Sequence, residues 1–120
     1  MIKVMLFEDD RTMLGLLTTL LEIEGYQVAQ CEGFTEESLF HKLSIEKPDI
    51  LLMDVHLRKA NGLDILRALR LNADFHDLRI IMTSGMNLKE NCLNDGANAF
   101  IMKPFMPEEL INTLQKQISN

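Results

Sequence analysis

The sequence predicts an α/β protein, a doubly wound five-stranded parallel sheet in which a helix follows every strand. Three observations predict it. Short apolar runs of strand length alternate five times with longer segments whose apolar residues recur at helical spacing. Strict strand–helix alternation favours a parallel sheet with helices on both faces. The 120 residues contain no low-complexity stretch, linker or internal repeat, so residues 1–120 are expected to form one domain with a full core.

The first strand is VMLF, Val4 to Phe7. The first helix, Arg11 to Gly25, places Met13, Leu16, Leu17, Leu20 and Leu21 on one stripe, and Gly25 is a stop signal. YQVAQC, Tyr26 to Cys31, is the second strand. The second helix is Glu36 to Glu46, with Thr35 as its N-cap. DILLMD, Asp49 to Asp54, is the most apolar strand. The helix GLDILRALRLN follows from Gly62, then the strand RIIMTS from Arg79 to Ser84. LKENCLND, from Leu88, makes a helix closed by Gly96. AFIM, Ala99 to Met102, is the last strand, and the helix PEELINTLQKQI starts with Pro107 in its first turn.

Composition narrows the function. Apolar and charged fractions of 47% and 25% are ordinary for a globular domain. A net charge of −6 argues against direct nucleic-acid binding, which needs a basic surface. No apolar run is long enough to span a bilayer. The apolar part of MIKVMLFEDD is too short for a secretory signal and runs straight into acids, so a cytoplasmic protein is expected. Cys31 and Cys92 lack metal-site spacing and are expected to be free, partly buried thiols. The eight methionines are expected to fill core.

In open parallel sheets, ligands bind at the carboxyl ends of the strands. Those ends carry Glu8-Asp9-Asp10, Asp54, Thr83-Ser84-Gly85 and Lys103-Pro104. Clustered carboxylates repel unless a cation joins them. Oxygen ligands without a His/Cys set favour a hard divalent ion, Mg²⁺ above all. Such a site suits phosphoryl transfer, with a carboxylate attacking phosphorus while a lysine and a hydroxyl hold the oxygens. Asp54, ending the most apolar strand, is the best nucleophile.

With these residues in order, the whole chain resembles a receiver domain of the two-component response regulator family. The carrying motifs are the acids after strand one, LLMD with Asn61-Gly62 behind it, TSG after strand four and Lys103-Pro104-Phe105. The resemblance implies a flavodoxin-like (βα)₅ three-layer sandwich with strand order 2-1-3-4-5. It implies that Asp54 is the phosphoacceptor, that Lys103 pairs with the phosphoryl group behind a cis bond to Pro104, and that Ser84 and Phe100 form the switch. Counting back from the apolar stripe of helix one makes Glu8 and Asp9 the family's acid pair and Asp10 a loop residue. The implied Mg²⁺ ligands are Asp9, Asp54, the backbone carbonyl of His56 and, through water, Glu8.

The sequence departs from the family at Arg58, where Pro is common, and at Gly85, where Ala is common. His56 and Met86 border the path of hydrolytic water, and neither is an acid or amide that positions it, so a long-lived phosphoaspartate is expected. The His56 side chain is expected to face solvent.

The implied partners are a sensor histidine kinase or histidine phosphotransfer protein, docking on helix one near Thr12, Met13 and Gly15 and on the loop before helix five. A downstream effector would read the face of helix four, strand five and helix five. A monomer, or a weak dimer through that face, is expected, and the lack of an Arg-rich helix five favours a single-domain or non-transcriptional role. Beyond self-catalysed phosphotransfer and autodephosphorylation the chain is not expected to be an enzyme. An aspartate-nucleophile phosphatase would want a second acid where His56 stands. A flavodoxin-like cofactor binder would want Gly/Ser/Thr loops where the first acids stand. A degenerate receiver, binding partners constitutively, would have lost part of the acid, hydroxyl and lysine set.

Overall fold

Parallel strands need long crossovers, and each crossover here is a helix. The computed structural model describes residues 1–119. Its elements run β1 (Lys3–Phe7), α1 (Arg11–Ile23), β2 (Gln27–Gln30), α2 (Glu36–Glu46), β3 (Ile50–Asp54), α3 (Gly62–Leu71), β4 (Arg79–Ser84), α4 (Lys89–Asn94), β5 (Ala99–Met102) and α5 (Pro107–Ile118). The strands are all parallel, in the order β2-β1-β3-β4-β5.

Alternation along the strands sorts the core into two layers. Met5, Phe7, Leu51, Met53, Ile80 and Met82 pack against α2, α3 and α4 through Leu39, Leu43, Leu66, Leu69 and Cys92. Val4, Leu6, Ile50, Leu52, Ile81 and Ile101 pack against α1 and α5 through Leu17, Leu21, Leu110 and Leu114. β3 is central and buried at every position, Asp54 included.

Local chemistry sets the helix ends. Thr35 and Ser38 form a reciprocal capping box on α2. Asn61 caps α3, its side chain accepting from the amides of Leu63 and Asp64. Gly25 and Gly96, at φ +92° and +109°, take the left-handed turns that end α1 and α4. One short element is unforeseen: a 3-10 turn at Ala73–Phe75, where Asn72 accepts from the Asp74 amide. Asn72 thus leaves the third helix one residue early and caps the turn instead.

Burial corrects three expectations drawn from the sequence. Of the helix-one stripe, Leu17 and Leu21 are buried, Met13 and Leu20 are half-buried, and Leu16 is 63% exposed. The stripe is wider than the contact α1 makes with the sheet, so its edge faces out. Met5, Met53 and Met82 do fill core, but Met1, Met86, Met102 and Met106 are exposed. Cys31 and Cys92 are free and fully rather than partly buried. Among the described residues, no helix is long and apolar enough to cross a membrane. The carboxyl-terminal QISN reaches Asn120, which lies outside the described residues.

Candidate functional site

Parallel registration carries the polar strand ends to one edge. Asp54 pairs with Thr83 across β3 and β4, and Ser84 with Met102 across β4 and β5. The ladder continues one step past the strands, with Val55 N donating to Thr83 O at 2.9 Å and Lys103 N to Ser84 O at 2.8 Å. Glu8, one residue beyond β1, is buried together with Asp54, Thr83 and Ser84. These four are the buried polar residues of the described chain, and all lie at this edge.

Two buried carboxylates would be costly without compensation. Lys103 supplies it. Its Nζ lies 2.8 Å from Glu8 Oε1 and 3.2 Å from Asp54 Oδ2. Burial alone would lower the pKa of the Lys103 ammonium, but the Glu8 hydrogen bond and the charges of Asp54 and Glu8 outweigh it and leave the pKa raised. The Lys103–Pro104 bond is cis.

The remaining carboxylate oxygens meet backbone amides. Glu8 Oε2 accepts from Asp10 N at 3.2 Å, and Asp54 Oδ1 from His56 N at 3.2 Å. Asp9 Oδ2 accepts from Arg58 N at 2.7 Å. A proline at position 58, common in the family, could not make that bond. Asp10 stands apart from the others: its side chain accepts from Met13 N at 3.0 Å and caps α1.

Ser84 is fully buried. Its Oγ accepts from Met86 N at 3.0 Å and lies 3.0 Å from His56 Nε2. The expectation that the His56 side chain faces solvent holds only in part: the residue is exposed, yet its ring turns back onto Ser84. The β3–α3 loop brings the two together, and no local pattern around either residue signals the contact. Phe100, opposite Met82 in register, is half-buried and packs on the α2–α3–α4 layer.

Gly62 fits the loop closely. A Cβ there would stand 2.5 Å from the Asp54 carbonyl oxygen and 2.7 Å from Val55 Cα. Asn61-Gly62 therefore lets α3 begin directly against the backbone that carries Asp54.

Among the described residues, no three His, Cys, Asp or Glu side chains form a ready metal cluster. Lys103 stands between Glu8 and Asp54, and Asp9 turns to Arg58. The donor chemistry nevertheless fits a hard divalent cation. Glu8, Asp9 and Asp54 are oxygen ligands, and their three charges exceed the single charge of Lys103.

Beside the site, an apolar groove of about 430 Å³ runs between α1 and the β5–α5 loop. Met13, Leu16, Leu20, Ile23 and Phe105 line it.

Comparison with known proteins agrees with this geometry. The family model of the response regulator receiver domain matches residues 4–115. The transcriptional regulatory protein CpxR of Escherichia coli is 38% identical over 112 residues, covering 91% of this chain and 46% of that protein. KdpE of Staphylococcus aureus is 31% identical over 111 residues, with 90% and 46% covered. The chain thus spans about half the length of the curated relatives it matches. Among solved structures, a sensor histidine kinase receiver domain from Pseudomonas aeruginosa, with magnesium coordinated in its active site cleft, superposes with a TM-score of 0.85 at 26% identity, 98% of each chain covered. The chemotaxis protein CheY4 of Vibrio cholerae shares the fold at a TM-score of 0.86 and 24% identity, with 97% of this chain and 98% of that one covered. Sheet order, strand-end chemistry and family match together identify the chain as a member of the response regulator receiver domain family of two-component signalling.

Proposed function

We propose that the chain is a phosphorylation-dependent switch in which Asp54 takes a phosphoryl group from a phosphohistidine of a sensor histidine kinase or histidine phosphotransfer protein. A carboxylate oxygen of Asp54 attacks phosphorus. The P–N bond breaks, its electron pair leaves on the imidazole nitrogen, and an acyl phosphate forms on Asp54. The observation that carries this reading is the buried Asp54 carboxylate, held by the Lys103 ammonium at one oxygen and the His56 amide at the other. Fixed donors at the place where charge develops cost no reorganisation during transfer.

Lys103 holds Asp54 before transfer and a phosphoryl oxygen after it. Glu8, Asp9, Asp54 and the His56 carbonyl would hold Mg²⁺, as the magnesium-bound relative supports. Bound there, the ion would supply charge compensation to the phosphoryl oxygens. Ser84 would then turn to the phosphoryl group and Phe100 would move inward, shifting a two-state equilibrium read on the α4–β5–α5 face. The groove along α1 is the proposed docking site for the phosphodonor's helices, and Leu16 and Ile23, exposed and apolar, suit that contact. The chain would act in the cytoplasm through protein partners, without binding nucleic acid itself, as a monomer or a weak dimer through the output face.

The test is intact-mass spectrometry after incubation with acetyl phosphate, with and without Mg²⁺, on wild type and Asp54→Asn. One phosphoryl adduct that needs both Mg²⁺ and Asp54 is expected. An adduct on Asp54→Asn would move the acceptor elsewhere. A folded wild type that takes no phosphoryl group from acetyl phosphate or from a phosphorylated histidine phosphotransfer protein would overturn the reading in favour of a degenerate receiver.

A further inference from the structure

His56 occupies an unusual position in the site. Its backbone amide holds Asp54 Oδ1, and its imidazole Nε2 lies 3.0 Å from Ser84 Oγ. One residue therefore touches both the acceptor carboxylate and the hydroxyl that would respond to phosphorylation. The two side chains are 28 residues apart in sequence, and the contact depends on the β3–α3 loop folding over the end of β4.

A serine hydroxyl has one proton to donate and two lone pairs to accept with. Met86 N already uses one lone pair of Ser84 Oγ. The second contact, to His56, leaves two cases. If Nε2 accepts, it takes the only proton Ser84 could give to a phosphoryl oxygen. If Nε2 carries the hydrogen, it takes the remaining lone pair and pins the hydroxyl where it stands. A phosphoryl oxygen can only accept, so with Nε2 as acceptor Ser84 must give up the His56 contact to donate to it; with Nε2 as donor the hydroxyl proton stays free, and His56 holds Ser84 only by fixing its oxygen 3.0 Å from the ring. Ser84 is completely buried, so solvent does not compete for the hydroxyl. The imidazole, on an exposed loop, is the partner that can swing away.

We propose that His56 is a latch on Ser84: its imidazole holds the switch hydroxyl in the unphosphorylated state and must release it before Ser84 can bind a phosphoryl group on Asp54. This rests on the reading of Asp54 as phosphoacceptor and adds a residue that sets the resting side of the switch. His56 acts through Ser84 and is a positioning residue. A neutral hydrogen bond of this kind shifts such an equilibrium by about two- to tenfold. The fraction of competent Ser84, and with it the apparent rate of phosphorylation, follows in the same proportion.

Two measurements on the full chain test the latch. The first is the rate of adduct formation with acetyl phosphate and Mg²⁺, followed by intact mass. His56→Ala is expected to raise the rate about two- to tenfold. His56→Gln, whose amide can still hold the hydroxyl, should be accelerated less than His56→Ala. In a Ser84→Ala background the acceleration from His56→Ala should disappear. An acceleration that persists without the hydroxyl would overturn the latch, because His56 would then be acting only by restricting access to Asp54. The second is the Ser84 χ1 rotamer, read from three-bond NMR couplings in the metal-free, unphosphorylated protein. Wild type and His56→Gln should hold one rotamer, and His56→Ala should average over several. A single unchanged rotamer in His56→Ala overturns the latch whatever the phosphorylation result. Rotamer release in a protein whose Asp54 never takes a phosphoryl group would leave the latch standing and remove the phosphoacceptor reading instead.

Discussion

Replacing Gly62 with alanine tests how the site is built. The added methyl would lie 2.5 Å from the Asp54 carbonyl oxygen, 2.7 Å from Val55 Cα and 3.1 Å from Val55 O. All three are backbone atoms, so no side-chain rotation relieves the contact. β3 is flanked by β1 and β4, and Val55 N is itself bonded to Thr83 O, so the acceptor backbone cannot simply slide away. The alternative is for α3 to retreat, stretching the Gly62 N to Val55 O bond of 2.8 Å and unpacking Ile65, Leu66 and Leu69. Overpacking of a tight site costs about 1–3 kcal/mol, and backbone contacts this close place Gly62→Ala in the upper part of that range. The better helix propensity of alanine returns up to about 1 kcal/mol. The net loss is therefore about 2 kcal/mol. With an unfolding entropy of about 0.25 kcal/mol/K for a chain of this length, the melting temperature falls by roughly 8 °C. Gly15→Ala is the matched control. Gly15 sits inside α1 with nothing within 4 Å of its added Cβ. There the propensity gain of about 0.5–1 kcal/mol stands alone, and the melting temperature rises by roughly 2–4 °C. Thermal unfolding followed by far-UV circular dichroism measures both, and acetyl phosphate labelling reports on Asp54. If Gly62→Ala melts with or above wild type and labels normally, the close approach of α3 to the acceptor strand is not what demands glycine.

Two other substitutions probe the carboxylates and the buried thiol. Arg58→Pro deletes the amide that holds Asp9 Oδ2, freeing a proposed metal ligand. Mg²⁺ titration followed by NMR should show a site roughly two- to fivefold tighter than in Arg58→Ala, which removes the same guanidinium charge but keeps the amide; equal affinity in the two variants would separate the tether from metal binding. Burial, reinforced by the Asp95 charge, pushes the Cys92 thiol up to about 11 from its ordinary 9.0. The folded state keeps a proton that the unfolded state loses, so the stability tied to Cys92 is complete below pH 9.0 and declines as pH rises towards 11. Cys92→Ala should flatten that alkaline decline in urea unfolding curves, and alkylation of Cys92 at neutral pH should require unfolding.

Much of the architecture is legible in the sequence because its causes are local. VMLF and ILLM are too short and too uniformly apolar for surface elements, and buried parallel strands need that composition. Thr35, Gly25 and Gly96 mark helix ends through their own backbone chemistry. The helix-one stripe overstates the core: Leu16 shares the apolar spacing of Leu17 but faces the groove, because periodicity records which residues share a side and not how far the partner surface extends. The 3-10 turn at Ala73–Phe75 escapes a sequence reading because Asn72 can either end a helix or cap a new turn, and here it does the second.

The sequence by itself determined the order of elements and the chemistry delivered to each strand end, since both come from periods of two and 3.6 residues and from the topology of alternating units. Only the tertiary structure decided which partners those groups choose. Lys103 reaches Glu8 across 95 residues and Asp54 across 49, which depends on β1, β3 and β5 ending at the same level. Asp9 takes the Arg58 amide, and His56 turns onto Ser84, because the β3–α3 loop folds over the sheet edge. Hydrogen bonds and ion pairs are decided by distances of a few tenths of an ångström between groups far apart in the chain, and no local pattern carries that information.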